Sequence, residues 1–175
     1  MSTILGWIRC SPYSRTIEEQ QMTAQEDSRH PRVVAGVDGS PSSLAALRWA
    51  TGQAGLTGAT VDAVIAWHYP VLAASGGYGL VVPELGPDDF REIAAKTVAG
   101  AISALSPASD VRVRSRVVEG DPARVLLDAS AGADLLVVGT RGHGGLTEAL
   151  LGSVSQHCVQ HAACPVVVIR SPGHP

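Results

Sequence analysis

Arg32-Val33-Val34-Ala35-Gly36-Val37-Asp38-Gly39-Ser40-Pro41 is the stretch from which the architecture can be built. Val33 to Val37 is a short apolar run with no polar face, which predicts a strand covered on both sides. Asp38-Gly39-Ser40-Pro41 then supplies a turn and a helix start. Ser40 is a capping residue, and Pro41 takes the first helical position, where its missing N–H costs nothing. Leu44, Leu47 and Ala50 or Ala54 follow at helical spacing, and Gly55 or Gly58 ends the helix. A strand that runs at once into a helix is the unit of a parallel sheet.

The unit recurs along the chain. A second strand is expected from about Thr60 to Trp67, ending in His68-Tyr69-Pro70. The segment Val71 to Gly86 contains Ser75-Gly76-Gly77-Tyr78-Gly79 but lacks the Gly-Lys-Ser/Thr end of a phosphate P-loop, so it reads as a mobile loop. Pro87-Asp88-Asp89 opens a helix to about Leu105, with acidic residues at its positive end. Val111 to Val117 alternates, with Arg112, Arg114 and Arg116 on one face and valines on the other apart from Ser115. One charged face places that strand at the sheet edge, where cover is thin. Asp121-Pro122 caps a helix to about Ala131. Asp134 to Gly139 is an apolar, central strand, and a helix near Ser153 to Ala162 precedes a last strand, Pro165 to Arg170.

Five strands alternating with four helices predict an α/β fold with an open, Rossmann-like parallel sheet and helices on both faces. The first and fourth strands, the most apolar, are the expected central neighbours. Ligands of such sheets bind beyond the carboxyl ends of the strands, where the winding reverses. The loops there, Asp38-Gly39-Ser40 and Gly139-Thr140-Arg141-Gly142, are expected to face one crevice.

Composition narrows the class of function. The chain has 175 residues, 45% hydrophobic and 17% charged, enough for a real core. Aromatics are 4%, so the core must be built from Val, Leu, Ile and Ala. A net charge of -3 gives no electrostatic footprint for nucleic acid or an anionic membrane, and no apolar run approaches the roughly 20 residues of a membrane span. Three cysteines, Cys10, Cys158 and Cys164, fit no metal spacing and suggest free thiols in a reducing cytoplasm. Met1 to Cys10 lacks the marks of an export signal. Residues 1–31 read as a flexible extension, with Met22 as an alternative start, ahead of a domain at 32–171 and a tail at 172–175.

The chemistry concentrates after the fourth strand. Gly139-Thr140-Arg141-Gly142-His143-Gly144-Gly145 has four glycines in seven residues, so backbone N–H groups can approach an anion without interference from Cβ atoms. Gly152-Ser153 opens the next helix, whose free N–H groups and positive dipole end suit a phosphate, with the Ser153 hydroxyl as an added donor. Arg141 either adds charge there or points to solvent. His143 reads as a solvent-facing residue. His157 and His161, four apart on one helix face, could bind a metal, but no Glu follows His157 as a zinc-protease motif requires, and a functional metal site is not expected.

The spacing Gly139-x2-Gly142-x9-Gly152-Ser153 resembles the nucleotide-binding signature of the universal stress protein family, in its ATP-binding branch. Val37-Asp38-Gly39-Ser40, Val118-Glu119-Gly120-Asp121-Pro122 and Cys164-Pro165-Val166-Val167-Val168 extend the resemblance over nearly all of Arg32 to Arg170. It implies sheet order 3-2-1-4-5, ATP at the switch point, and a homodimer through the last strand (Val166, Val167, Val168); magnesium is expected with the ATP, because a triphosphate needs more charge compensation than Arg141 can supply. It also implies roles: Asp38 at the ribose, Gly36 and Val37 against the base, and Ala66 lining adenine. Val138, Gly139, Arg141 and Gly142 would form the ribose- and phosphate-side turn, and Gly152, Ser153, Val154 and Ser155 the triphosphate-binding helix start.

Substantial catalysis is not expected. The loop after the first strand carries neither His-x-Gly-His nor Ser-Gly-Gly-x-Asp-Ser, and the sole lysine, Lys96, lies in mid-helix. The expected protein is a cytoplasmic ATP-binding regulator that acts through conformation and an unspecified protein partner. The competing readings are a dimeric interaction module without nucleotide, suggested by the apolar Val166-Val167-Val168-Ile169, and a slow ATP hydrolase.

Overall fold

The structure, a computed structural model, describes residues 31–69, 86–105, 111–140, 142 and 151–170. Strands β1 (Arg32–Gly36), β2 (Thr60–Trp67), β3 (Val113–Glu119), β4 (Leu135–Gly139) and β5 (Val166–Ile169) alternate with helices α1 (Pro41–Thr57), α2 (Pro87–Ser103), α3 (Pro122–Ser130) and α4 (Ser153–His161). All neighbouring strands pair in parallel, in the order β3-β2-β1-β4-β5. The central position of β1 and β4 and the edge position of β3 follow the polarity of their faces, as expected. The elements differ from the expected ones only at their ends: α2 stops at Ser103, and β3 starts at Val113 and continues to Glu119. The expected loop over 71–86 falls almost wholly outside the described residues, as do the extension and the tail.

Strand alternation builds the two faces. Val33, Ala35, Val37, Val61, Ala63, Ile65 and Val137 meet Ala46, Leu47, Ala50 and Ala54 of α1 and Ala94, Val98 and Ala101 of α2. On the other face, Val34, Val64, Leu136 and Val138 meet Val125, Leu126 and Ala129 of α3 and Cys158 of α4. Local chemistry sets the helix ends. Ser40 Oγ accepts from the Ser43 N–H, Asp121 Oδ1 accepts from the Arg124 N–H, and Gly58 (φ 68°) closes α1 in the left-handed conformation.

One polar feature of the sheet was not read from the sequence. Asp62 of β2 is buried, with Oδ2 lying 3.2 Å from Arg32 Nη1 and 3.8 Å from Arg116 Nη1. Arg32 also donates to the carbonyls of Ala129 (2.9 Å) and Ala131 (2.7 Å), while its backbone N–H donates to Asp134 Oδ2. The guanidinium thus fastens the end of α3 to the amino-terminal end of the sheet. Asp62 Oδ1 has no hydrogen-bond partner among the described residues.

Candidate functional site

At the opposite, carboxyl end of the sheet, the loops after β1 and β4 meet. Val37 N–H still pairs with the Val64 carbonyl (2.8 Å), which carries β1's alignment one residue past its end. The chain then turns through Gly39 (φ 85°). Ser40 N–H donates to Asp38 Oδ1 (2.9 Å), so the carboxylate is held by its own turn. Its other oxygen, Oδ2, lies against Gly142, where an added Cβ would overlap it. Gly139 is closed in more tightly: a Cβ there would stand 2.6 Å from Ser42 Oγ and 2.8 Å from the Ser42 backbone carbon. The first turn of α1 therefore packs directly on the end of β4.

α4 begins at the same place. Gly152 N–H donates to the Thr140 carbonyl (2.8 Å), and the buried Ser155 hydroxyl donates to the Gly139 carbonyl (2.6 Å). Thr140 N–H is in turn held by the Ile169 carbonyl of β5 (2.8 Å). The first intrahelical bond runs from Gln156 N–H to the Gly152 carbonyl, so the N–H groups of Ser153, Val154 and Ser155 precede the helical ladder. Gly152 has no side chain to cap them, and no acidic residue stands in the first turn. The positive end of the α4 dipole thus stands beside the end of β4. Anionic Asp38 suits a hydroxyl-bearing group as acceptor, and the amide-rich helix start suits a phosphate.

The remaining expected residues occupy different settings. Gly36 backs onto α3, where a Cβ would stand 3.0 Å from Leu126 Cδ1. Val37 and Val138 bury their side chains in the two cores. Ala66, on β2, packs against the cluster that contains Val138. Arg141 and His143 lie outside the described residues. Sequence reasoning missed Ser42, Ser43 and Thr140. Ser43 Oγ accepts from the Asp38 N–H (3.3 Å) and donates to the Ser40 carbonyl (2.9 Å). Two consecutive serines just after a helix-opening proline were the available signal.

Away from this end, His157 and His161 stack on the exposed face of α4 with ring centroids 4.2 Å apart. Cys158 is fully buried. Burial pushes its thiol up to about 11, and the neighbouring Cys164 adds to the shift. Among the described residues no helix is long and apolar enough to cross a membrane.

A parallel sheet in 3-2-1-4-5 order, with a glycine turn and a helix start at its switch point, defines a Rossmann-like α/β domain. The sequence pattern of the Universal stress protein family matches residues 30–170, and the chain belongs to that family. A universal stress protein of Mycolicibacterium smegmatis is 37% identical over 153 residues, covering 84% of this chain and 48% of that protein. One from Methanocaldococcus jannaschii is 30% identical over 151 residues, covering 83% of this chain and 85% of that one. The chain thus spans about half the length of its mycobacterial relatives. Among solved structures, a universal stress protein in complex with cAMP superposes with TM-score 0.51 at 26% identity, covering 82% of this chain and 99% of that one.

Proposed function

We propose that residues 32–171 form a nucleotide-binding regulatory domain whose ligand is ATP, held with magnesium between the loops after β1 and β4 and the start of α4. The observation that carries this reading is the pair Gly139 and Gly142, each placed where a Cβ would overlap Ser42 or Asp38, beside the uncapped first turn of α4. The cAMP complex of the related protein supports a nucleotide as the class of ligand. In this reading Asp38 accepts from the ribose hydroxyls. The amides of Gly142, Ser153 and Val154 bind phosphate oxygens, with the Ser153 hydroxyl and Arg141 as further donors. Gly36, Val37, Ala66, Val138 and Gly139 shape the floor and the base side, and Ser155 holds the helix start in place. Asp38 adds negative charge beside a triphosphate, and a divalent cation bound with the nucleotide would supply the compensating positive charge.

The protein acts in the cytoplasm in the stress response, through nucleotide-dependent conformation and contacts with a protein partner, and has at most slow hydrolysis. It pairs with a second copy along β5, the apolar edge of the sheet. Because the Pro165 and Ile169 carbonyls accept from the N–H groups of Leu136 and Thr140, the N–H groups of Val166 and Val168 point to the open edge. That edge equally favours a dimeric module that needs no nucleotide, and one set of measurements separates the two.

Nucleotide released by denaturing the purified protein is identified, and ATP, AMP and cAMP are titrated with and without magnesium into wild type and Gly142→Ala. ATP binding that is strengthened by magnesium and weakened in the variant supports the proposal. No binding to wild type leaves the interaction module. Val168→Pro, which removes an open-edge N–H, should elute as a monomer; an unchanged dimer rejects the β5 interface.

A further inference from the structure

The two edges of the sheet have opposite character. β5 is apolar, whereas β3 carries Arg114, Ser115 and Arg116 exposed, with exposed Arg112 just before it. The backbone direction of β3 is fixed by its pairing: Arg112 carbonyl accepts from Val61 N–H and Gly120 N–H donates to the Trp67 carbonyl. Even-numbered residues therefore turn their backbone groups toward β2, and Val113, Ser115 and Val117 turn theirs toward the open edge. Side chains alternate at right angles to this. Arg112, Arg114 and Arg116 line one face, while Val111, Val113 and Val117 pack on the other against the core beneath α1 and α2. No described strand pairs with the outer side of β3.

The charge on the arginine face is only partly answered from within. Among the described residues, Asp62 is the acidic group paired with this face, and its Oδ2 lies closer to Arg32 (3.2 Å) than to Arg116 (3.8 Å). Glu119, at the far end of the strand, falls on the other face by alternation. A second copy paired antiparallel along β3 would set two arginine rows side by side, which like charges oppose. An acidic strand faces no such barrier.

We infer that β3 is a docking edge for an extended acidic segment of a partner protein, which adds to the sheet as a sixth strand. Its backbone pairs with Val113, Ser115 and Val117, its acidic side chains alternate beside Arg112, Arg114 and Arg116, and its intervening side chains are apolar, continuing the valine face. The inference goes beyond the nucleotide reading and is tested without nucleotide, so failure of one leaves the other standing.

The probe is a fluorescent peptide of roughly ten residues, alternating Glu and Val, long enough to run beside an ordinary strand. Its counterpart alternates Lys and Val. The full-length protein should bind the Glu peptide and not the Lys peptide, with slowed amide exchange at Val113, Ser115 and Val117. Arg112→Glu/Arg114→Glu should lose about tenfold or more for the Glu peptide and gain affinity for the Lys peptide. Ser115→Pro removes one open-edge N–H without changing charge, and should weaken the Glu peptide as strongly. Equal binding of the two peptides, unchanged exchange in β3, or binding indifferent to Ser115→Pro would overturn the inference. So would an oligothymidylate that binds as tightly as the Glu peptide.

Discussion

Asp38 Oδ2 and the Cα of Gly142 stand too close for a Cβ to fit between them, and this contact joins the loop after β1 to the loop after β4. Gly139 makes the corresponding contact with Ser42, but there the obstacle includes main chain, 2.8 Å away. The two glycines should therefore respond differently to the same substitution. Gly139→Ala must push α1 off the end of β4 and should cost about 1–3 kcal/mol of stability in chemical denaturation. Gly142→Ala meets only the end of the Asp38 side chain, which Ser40 N–H holds, and should cost less stability than Gly139→Ala while nucleotide affinity falls. Equal loss of stability in both variants would show that the Asp38 contact is as rigid as the Ser42 contact.

Ser155 separates holding a site together from binding its ligand. Its buried hydroxyl donates a hydrogen bond to the Gly139 carbonyl, so Ser155→Ala leaves that carbonyl without its side-chain donor. The expected cost is about 1–3 kcal/mol, with weaker nucleotide binding as a consequence of a displaced helix start. If calorimetry finds affinity lost at unchanged stability, the hydroxyl is a ligand and not a tether.

Much of this arrangement was legible in the sequence because each signal had a local cause. Val33 to Val37 and Leu135 to Val138 have no polar face, so their central place followed, and the arginines of β3 marked it as an edge. Ser40, Pro41, Asp121 and Pro122 announced helix starts through their own backbone chemistry. The Gly139, Gly142 and Gly152 spacing pointed to the crevice. What escaped depends on neighbours distant in the chain. Nothing local tells that Ser42 lies under Gly139, that Ser155 reaches back 16 residues to a carbonyl, or that Asp62 meets Arg32 across two strands. A carboxylate inside the apolar run Val61 to Ile65 was the one visible hint of that last pair.

That pair makes a stability prediction. Arg32→Met removes the nearer cation from a buried carboxylate and the donor to two carbonyls at the end of α3, and should destabilise by about 3 kcal/mol. Arg32→Met/Asp62→Leu removes the stranded charge as well. It should regain at least about 1 kcal/mol of that loss, because well-packed apolar residues replace buried ion pairs at little cost. A double variant less stable than Arg32→Met would mean that Asp62 is held mainly by Arg116.

Cys158 should make stability fall in alkaline solution. Burial is the larger cause of its raised pKa and the nearby Cys164 the smaller, and together they carry it from 9.0 to about 11. Folding favours the neutral thiol, so this contribution is present in full below pH 9, declines as pH rises above that value, and is gone once pH has passed through 11. The denaturation midpoint of wild type should therefore drop across that interval more steeply than that of Cys158→Ala. The same burial shields the sulfur at neutral pH. Iodoacetamide applied to the folded protein at pH about 8 should label the partly exposed Cys164 and spare Cys158, as read by peptide mass. Labelling of both at one rate would show that α4 opens readily from the sheet, and would remove the physical basis for the alkaline effect.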